Sequence, residues 1–92
     1  MGIRTEVQNG GMTGSISFRS EGRLTRFMVV EEGKFILDPH HLRRAVEVFT
    51  GTVVINGEEK NKDSDPCIIE AGEDLVVATK ATASIVIYYD QG

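Results

Sequence analysis

The apolar residues of this chain gather only in runs of strand length, at 27–30, 52–55 and 84–89. No feature constrains the fold more. No segment keeps the 3.6-residue period of an amphipathic helix over several turns, and no run approaches the about 18 apolar residues of a membrane-crossing helix. Between the runs stand turn-forming groups: Ser20-Glu21-Gly22, Glu31-Glu32-Gly33, Asn56-Gly57 and the stretch from Glu70 to Asp74. Asn56-Gly57 is the strongest short hairpin signal, because both residues accept a positive φ. Many short strands with Gly-rich turns and no alternating helices predict an all-β sandwich or barrel.

The pattern predicts seven or eight strands. They fall at 15–18, Arg23–Val30, 34–37, 46–55, Cys67–Ile69, 75–78 and Ala83–Tyr89, with Glu31-Glu32-Gly33 read as a hairpin connection. Gly51 interrupts the longest of them, and a strand glycine marks a bulge or bend. The polar run 58–66 reads as an exposed loop, and Gly10-Gly11 places a turn or a flexible lead-in within residues 1–12. One short helical turn is expected at 39–43, where Asp38 can cap and Pro39 suits the first helical position. At 92 residues the whole chain, 1–92, is one domain with one core, of a size that suits a small jelly-roll barrel.

Charge excludes some functions and suggests others. The net charge of −4 disfavours nucleic-acid binding, which needs a basic face. The polar N-terminus carries no signal-peptide pattern, and the single cysteine, Cys67, has no internal disulfide partner. A cytoplasmic location and no membrane association are the expectations. Residues 1–46 balance at +2 and residues 47–92 at −6, and all six arginines lie in the first half. Either surface charge is unevenly scattered, or some arginines converge on one anion, which their planar fork of donors suits.

Few residues carry recognisable chemistry. His40 and His41 are adjacent, whereas ligands on one face need a spacing of two on a strand or three to four on a helix. No metal or other cofactor is therefore expected, although the sequence leaves open whether His40 and His41 bind one. Asp63 and Asp65 lie in an acidic loop without the calcium-loop pattern. Cys67 precedes two isoleucines and reads as a buried, inert thiol. Arg26 shares one face of its strand with Leu24, Met28 and Val30. Two registers are open: that face is interior, and the guanidinium needs a carboxylate or a bound anion, or Phe27 and Val29 are the core residues. Glu47, on a face with Phe49, Val53 and Ile55, is a candidate internal partner of Arg26. Tyr88 and Tyr89 offer one phenol to each face of the last strand.

Gly14-Ser15-Ile16-Ser17-Phe18, Gly22-Arg23 and the run Met28-Val29-Val30-Glu31-Glu32-Gly33-Lys34-Phe35 resemble the first half of a small cupin. They are most similar to the pyrimidine/purine nucleoside phosphorylase family, with its "SIGF" strand, "GR" turn and "VM-x-x-G-x-Y/F" hairpin. Farther on, Thr50-Gly51-Thr52-Val53-Val54-Ile55 and Ile69-Glu70-Ala71-Gly72 resemble that family's "SG-x-L-x-V" strand and "x-EAG" turn. The chain departs from the family pattern in several ways. The interval from Pro39 to Gly51 is longer, there is no tryptophan, and Val77-Ala78 stands where the family has "VP". The C-terminus is short of the family pattern by about one strand. An edge left open in this way invites pairing with a second subunit, and cupins commonly dimerise, so a homodimer is expected.

The resemblance implies a metal-independent nucleoside phosphorylase-like enzyme. Arg26 would hold phosphate, Glu47 would act at the ribose hydroxyls or the developing positive charge, and Tyr88 would stack on the base. The alternative is a non-catalytic cupin-like module acting through self-association or a protein partner, or through a small-molecule ligand that is held without turnover.

Overall fold

Alternating side chains force a strand to bury one face, and two sheets burying their faces together make the architecture of this protein. The computed structural model describes the backbone of residues 5–8 and 12–20 and the whole of residues 23–90. Ten strands run through them: β1 (Thr5–Gln8), β2 (Met12–Ser20), β3 (Arg23–Val30), β4 (Gly33–Leu37), β5 (Arg44–Thr50), β6 (Thr52–Ile55), β7 (Glu58–Asn61), β8 (Cys67–Ile69), β9 (Leu75–Thr79) and β10 (Ala83–Tyr89). They form two five-stranded antiparallel sheets, ordered β1-β4-β9-β6-β7 and β2-β3-β10-β5-β8. Among the described residues there is no helix, and thus none long and apolar enough to cross a membrane.

The inner faces supply the core. Phe35, Leu37, Val53, Ile55, Leu75 and Val77 come from one sheet; Met28, Val30, Val46, Ile69, Ile85 and Ile87 come from the other. The open register of β3 is thereby decided: Met28 and Val30 are fully buried while Phe27 and Val29 are only partly so.

Several elements differ from the sequence expectation, each for a physical reason. The run 46–55 is two strands in different sheets. Ser84 of β10 pairs with Thr50, but Ile85 pairs with Val48, so Phe49 is an extra, bulged residue. Gly51 follows at φ +83°, and a Cβ there would lie 2.8 Å from the Cβ of Ala83, so the crossing between sheets needs glycine. The buried parity changes across this crossing, from Val46 and Val48 to Val53 and Ile55. Glu31-Glu32-Gly33 is likewise a corner between sheets, since β3 pairs with β2 and β10 while β4 pairs with β1 and β9.

No helical turn forms at 39–43. The backbone N–H of Leu42 donates to His40 Nδ1 at 3.0 Å, and the carbonyl of His40 accepts from Gly72 N at 3.0 Å. These bonds take the groups a helix would use for itself. The run 58–66 is a loop only in part, because β7 pairs with β6 across the Asn56-Gly57 turn, whose φ values are +48° and +88°. Of the lead-in at 1–12, Thr5–Gln8 pairs with β4; residues 1–4 and 9–11 lie outside the described residues.

Candidate functional site

The ends of β4, β8 and β10 and the starts of β5 and β9 meet at one end of the sandwich. Two connections close that end: the segment 38–43 and the turn 70–74, tied together by the bond from Gly72 N to His40 O. Asn56 holds the turn from the other side, donating from Nδ2 to the carbonyl of Asp74 (3.0 Å) and accepting from Val76 N at Oδ1 (2.7 Å).

Beneath this cap the inner face changes character. Tyr89 of β10 and Arg44 of β5 are direct cross-strand partners, and Arg44 is followed across the sheet by Ile69 of β8. Arg44 is 0% exposed and Tyr89 1%. One donor of the guanidinium is satisfied: Nη2 donates to the carbonyl of Glu73 at 2.8 Å. Nε and Nη1 of Arg44 and Oη of Tyr89 are buried and make no hydrogen bond of good geometry, although the phenol lies close enough to the guanidinium to support its charge. An unmade bond to a buried polar group costs about 1–3 kcal/mol and more for a charged one, so a cluster of three such atoms is unusual. Burial pulls the Arg44 pKa down, and the nearby Tyr89, Asp74 and Glu73 act against it. The guanidinium nonetheless keeps its charge in proteins.

His40 completes the group. Its ring meets that of Tyr89 edge-on at 4.9 Å and stacks on His41 at 4.5 Å. Burial, then His41, then Arg44 hold its pKa below the ordinary histidine value. Its Nδ1 lone pair is occupied by the N–H of Leu42. Among the described residues no three His, Cys, Asp or Glu side chains come together in a way that holds a metal ion. The site therefore offers a buried cation, a phenol and an imidazole whose protonation is disfavoured, a set that recognises hydrogen-bond acceptors and negative charge.

The residues singled out from sequence are distributed differently. Arg26 falls on the inner face, opposite Ile87 and in the row next to Arg44 and Tyr89. Glu47 and Tyr88 lie on the outer face of the same sheet, because β5 and β10 bury Arg44, Val46 and Val48 and Ile85, Ile87 and Tyr89. The two come together there: burial pushes the Tyr88 phenol up, the neighbouring Glu47 carboxylate adds to the shift, and Arg23 opposes it. The sheet thus separates Arg26 from Glu47 and Tyr88, and Glu47 is not an interior partner for Arg26. Among the described residues Arg23 is exposed on the outer face and Arg43 is engaged at the surface with Asp90 at 2.9 Å. Arg4 lies outside the described residues, as does the side chain of Arg19.

Sequence reasoning missed Arg44. Strand alternation carried back from Val48 and Val46 reaches Arg44, but the expected helical turn at 39–43 ended the strand too soon. Cys67 is buried on the inner face, and burial followed by Glu58 raises its pKa. A concavity of about 480 Å³ lies on the outer face of the other sheet around Val54, Ala78, Glu59 and Lys80. None of the buried unpartnered atoms belongs to it.

The sequence matches no protein-family profile and none of the curated proteins. In three dimensions the chain is similar to a protein of unknown function from Vibrio parahaemolyticus, with a TM-score of 0.69 at 14% identity over 96% of this chain and 98% of the other. It is similar to the ethanolamine utilization protein EutQ of Salmonella typhimurium, with a TM-score of 0.64 at 18% identity, covering 85% and 68%. It is also similar to a protein described as an acetylacetone dioxygenase from Methylibium petroleiphilum, with a TM-score of 0.63 at 9% identity, covering 95% and 70%. These likenesses carry the cupin part of the resemblance and lend the nucleoside phosphorylase part no support. With its two antiparallel sheets and this set of structural neighbours, the protein has a small all-β, cupin-like fold.

Proposed function

We propose that this cupin-like domain is a binding module for a small oxyanion, seated at the capped end of the sandwich by Arg44 and Tyr89. The observation that carries the reading is the fully buried guanidinium whose Nε and Nη1 have no partner, beside an equally unpartnered phenol. A bound acceptor with negative charge satisfies those donors and balances the charge, two deficits that a side chain-filled core leaves standing. Phosphorolysis of a nucleoside needs phosphate, ribose and base on one side of the sheet. The separation of Arg26 from Glu47 and Tyr88 makes binding without turnover the better-supported reading.

The test is a thermal-shift series with phosphate, nucleosides and simple carboxylates on the wild type and on Arg44→Met. A ligand at a hundredfold its Kd stabilises a fold by about 2.7 kcal/mol. A shift in the wild type that Arg44→Met abolishes supports the proposal; equal responses from the two proteins refute it. Release of free base from inosine or uridine in the presence of phosphate would restore the enzymatic reading.

A homodimer stays part of the proposal, supported by the outer face of the β2-β3-β10-β5-β8 sheet. There Phe49 is 61% exposed and Ile68 48%, with Phe27 packed edge-on against Phe49 at 5.9 Å. Glu47 and Arg23 beside Tyr88 give this face both signs of charge, as a two-fold interface that meets itself requires. Sedimentation of the wild type as a dimer, and of Phe49→Glu as a monomer, is the expected result. A monomeric wild type at high concentration refutes it.

A further inference from the structure

The rim of the Arg44 site carries charge opposite to its floor. The turn whose Glu73 carbonyl accepts from Arg44 Nη2 also carries two exposed carboxylates whose charge reaches that guanidinium, Asp74 and Glu73, the latter accepting from Glu70 N at 3.0 Å. That turn is fixed in place, through Gly72 N to His40 O and through Asn56 Nδ2 to Asp74 O. Of the other cations, Arg43 is paired with Asp90 at 2.9 Å, and half-buried Arg26, on the same inner face, stands two strands from Arg44 across β10. His40 stacks on His41 and engages its own Nδ1 with Leu42 N. An arriving anion thus finds one buried positive charge and passes two negative ones. The aliphatic side chains around the floor are Ile69 and Val46 on the inner face, Ile87 beside Tyr89, and Leu42, partly buried against the core.

We infer that the Arg44–Tyr89 seat selects a singly charged carboxylate with a short apolar body and discriminates against phosphate. The inference rests on the reading of the site as an oxyanion seat and specifies its ligand class. A carboxylate matches one guanidinium charge for charge, and its two oxygens give acceptors to the free Arg44 nitrogens and the Tyr89 hydroxyl. A phosphate dianion leaves one buried negative charge without a counter-ion, and the Glu73 and Asp74 carboxylates repel it further. The apolar surroundings favour an alkyl or aryl body over a sugar, whose hydroxyls would meet no partners there.

The experiment compares butyrate, benzoate, inorganic phosphate and methyl phosphate by titration calorimetry at constant ionic strength and pH 7.5. The proteins are the full chain, Asp74→Asn, Tyr89→Phe and Arg44→Met. Asp74 is exposed, so its substitution leaves the core untouched. The expected result is that butyrate or benzoate binds the wild type at least tenfold more tightly than either phosphate. Asp74→Asn should narrow that ratio at least threefold by strengthening phosphate, and Tyr89→Phe should weaken the carboxylate several-fold. Phosphate binding as tightly as the carboxylates overturns the selectivity while leaving the oxyanion seat intact. A ratio unmoved by Asp74→Asn overturns the role of the rim. Carboxylate binding undiminished in Arg44→Met, or no binding by any of the four probes, overturns the seat itself and the selectivity with it.

Discussion

Replacing Arg44 by methionine should make the protein more stable, and the size of the gain follows from the structure. Arg44 is fully buried, and two of its three nitrogens are without a partner. Each unmet donor costs about 1–3 kcal/mol, and exchanging a buried charge for an apolar side chain of similar volume commonly gains about 1–4 kcal/mol. Against this stands the loss of the single bond from Nη2 to Glu73 O. A hydrogen bond to a charged group contributes about 1.5–3 kcal/mol, but Glu73 is exposed, so its carbonyl is free to rehydrate. Methionine fills much of the same volume and adapts to irregular gaps.

The net expectation is a stabilisation of about 1–3 kcal/mol. For a domain of this size that is a rise in Tm of about 4–8 °C per kcal/mol. Urea denaturation followed by far-UV circular dichroism, with no ligand added, measures it as a rise in midpoint at unchanged slope. A midpoint that falls by the equivalent of 1 kcal/mol or more would show that the Arg44 donors are satisfied within the fold. The case for a ligand at this position would then fail.

Three further outcomes are expected. Gly51→Ala must place a Cβ 2.8 Å from the Cβ of Ala83 at a φ of +83°, whereas Gly57→Ala, at +88°, meets nothing within 4 Å. Strain at positive φ costs each about 1–2 kcal/mol and overpacking adds about 1–3 kcal/mol to the first alone, so equal losses in a urea titration would refute the steric argument. His40 has a folded-state pKa held below its unfolded value of 6.5 by burial, then by His41 and Arg44. Its contribution to stability is therefore complete above pH 6.5 and is lost as the pH falls from 6.5 through the lower folded value. His40→Gln should flatten the wild-type decline in urea midpoint between pH 7.5 and 5.5, and parallel curves would contradict this origin. Cys67 is buried, its Sγ 3.7 Å from Glu58 Oε1, and its pKa is raised by burial and then by that carboxylate. A thiol reagent at pH 8 should react with it only at the rate of opening, and reaction as fast as with free cysteine would refute its burial.

Much of the architecture is local and therefore legible in the sequence. Strand alternation over Arg23–Val30, Cys67–Ile69 and Ala83–Tyr89, and the Asn56-Gly57 hairpin, depend on side-chain period and backbone φ. A single chain carries both within a few residues. Those rules suffice to make the protein all-β, and the single buried cysteine follows in the same way. What they do not carry is the choice of face. A one-residue slip exchanges every inward and outward side chain of a strand, and here the slip lies at Phe49 and Gly51, where β5 hands the chain to the other sheet. Read straight through, Glu47, Phe49, Val53 and Ile55 share a face, yet the bulge sends the first two outward and the last two inward. Only the pairing of Ser84 with Thr50 and of Ile85 with Val48, contacts between residues far apart in the chain, sets that parity. The same long-range pairing puts Arg44 opposite Tyr89 and under the turn 70–74. The sequence by itself determined a small all-β fold with an arginine-rich first half. The tertiary structure alone decided which arginine is buried and what it meets, because burial depends on neighbours that no local period specifies.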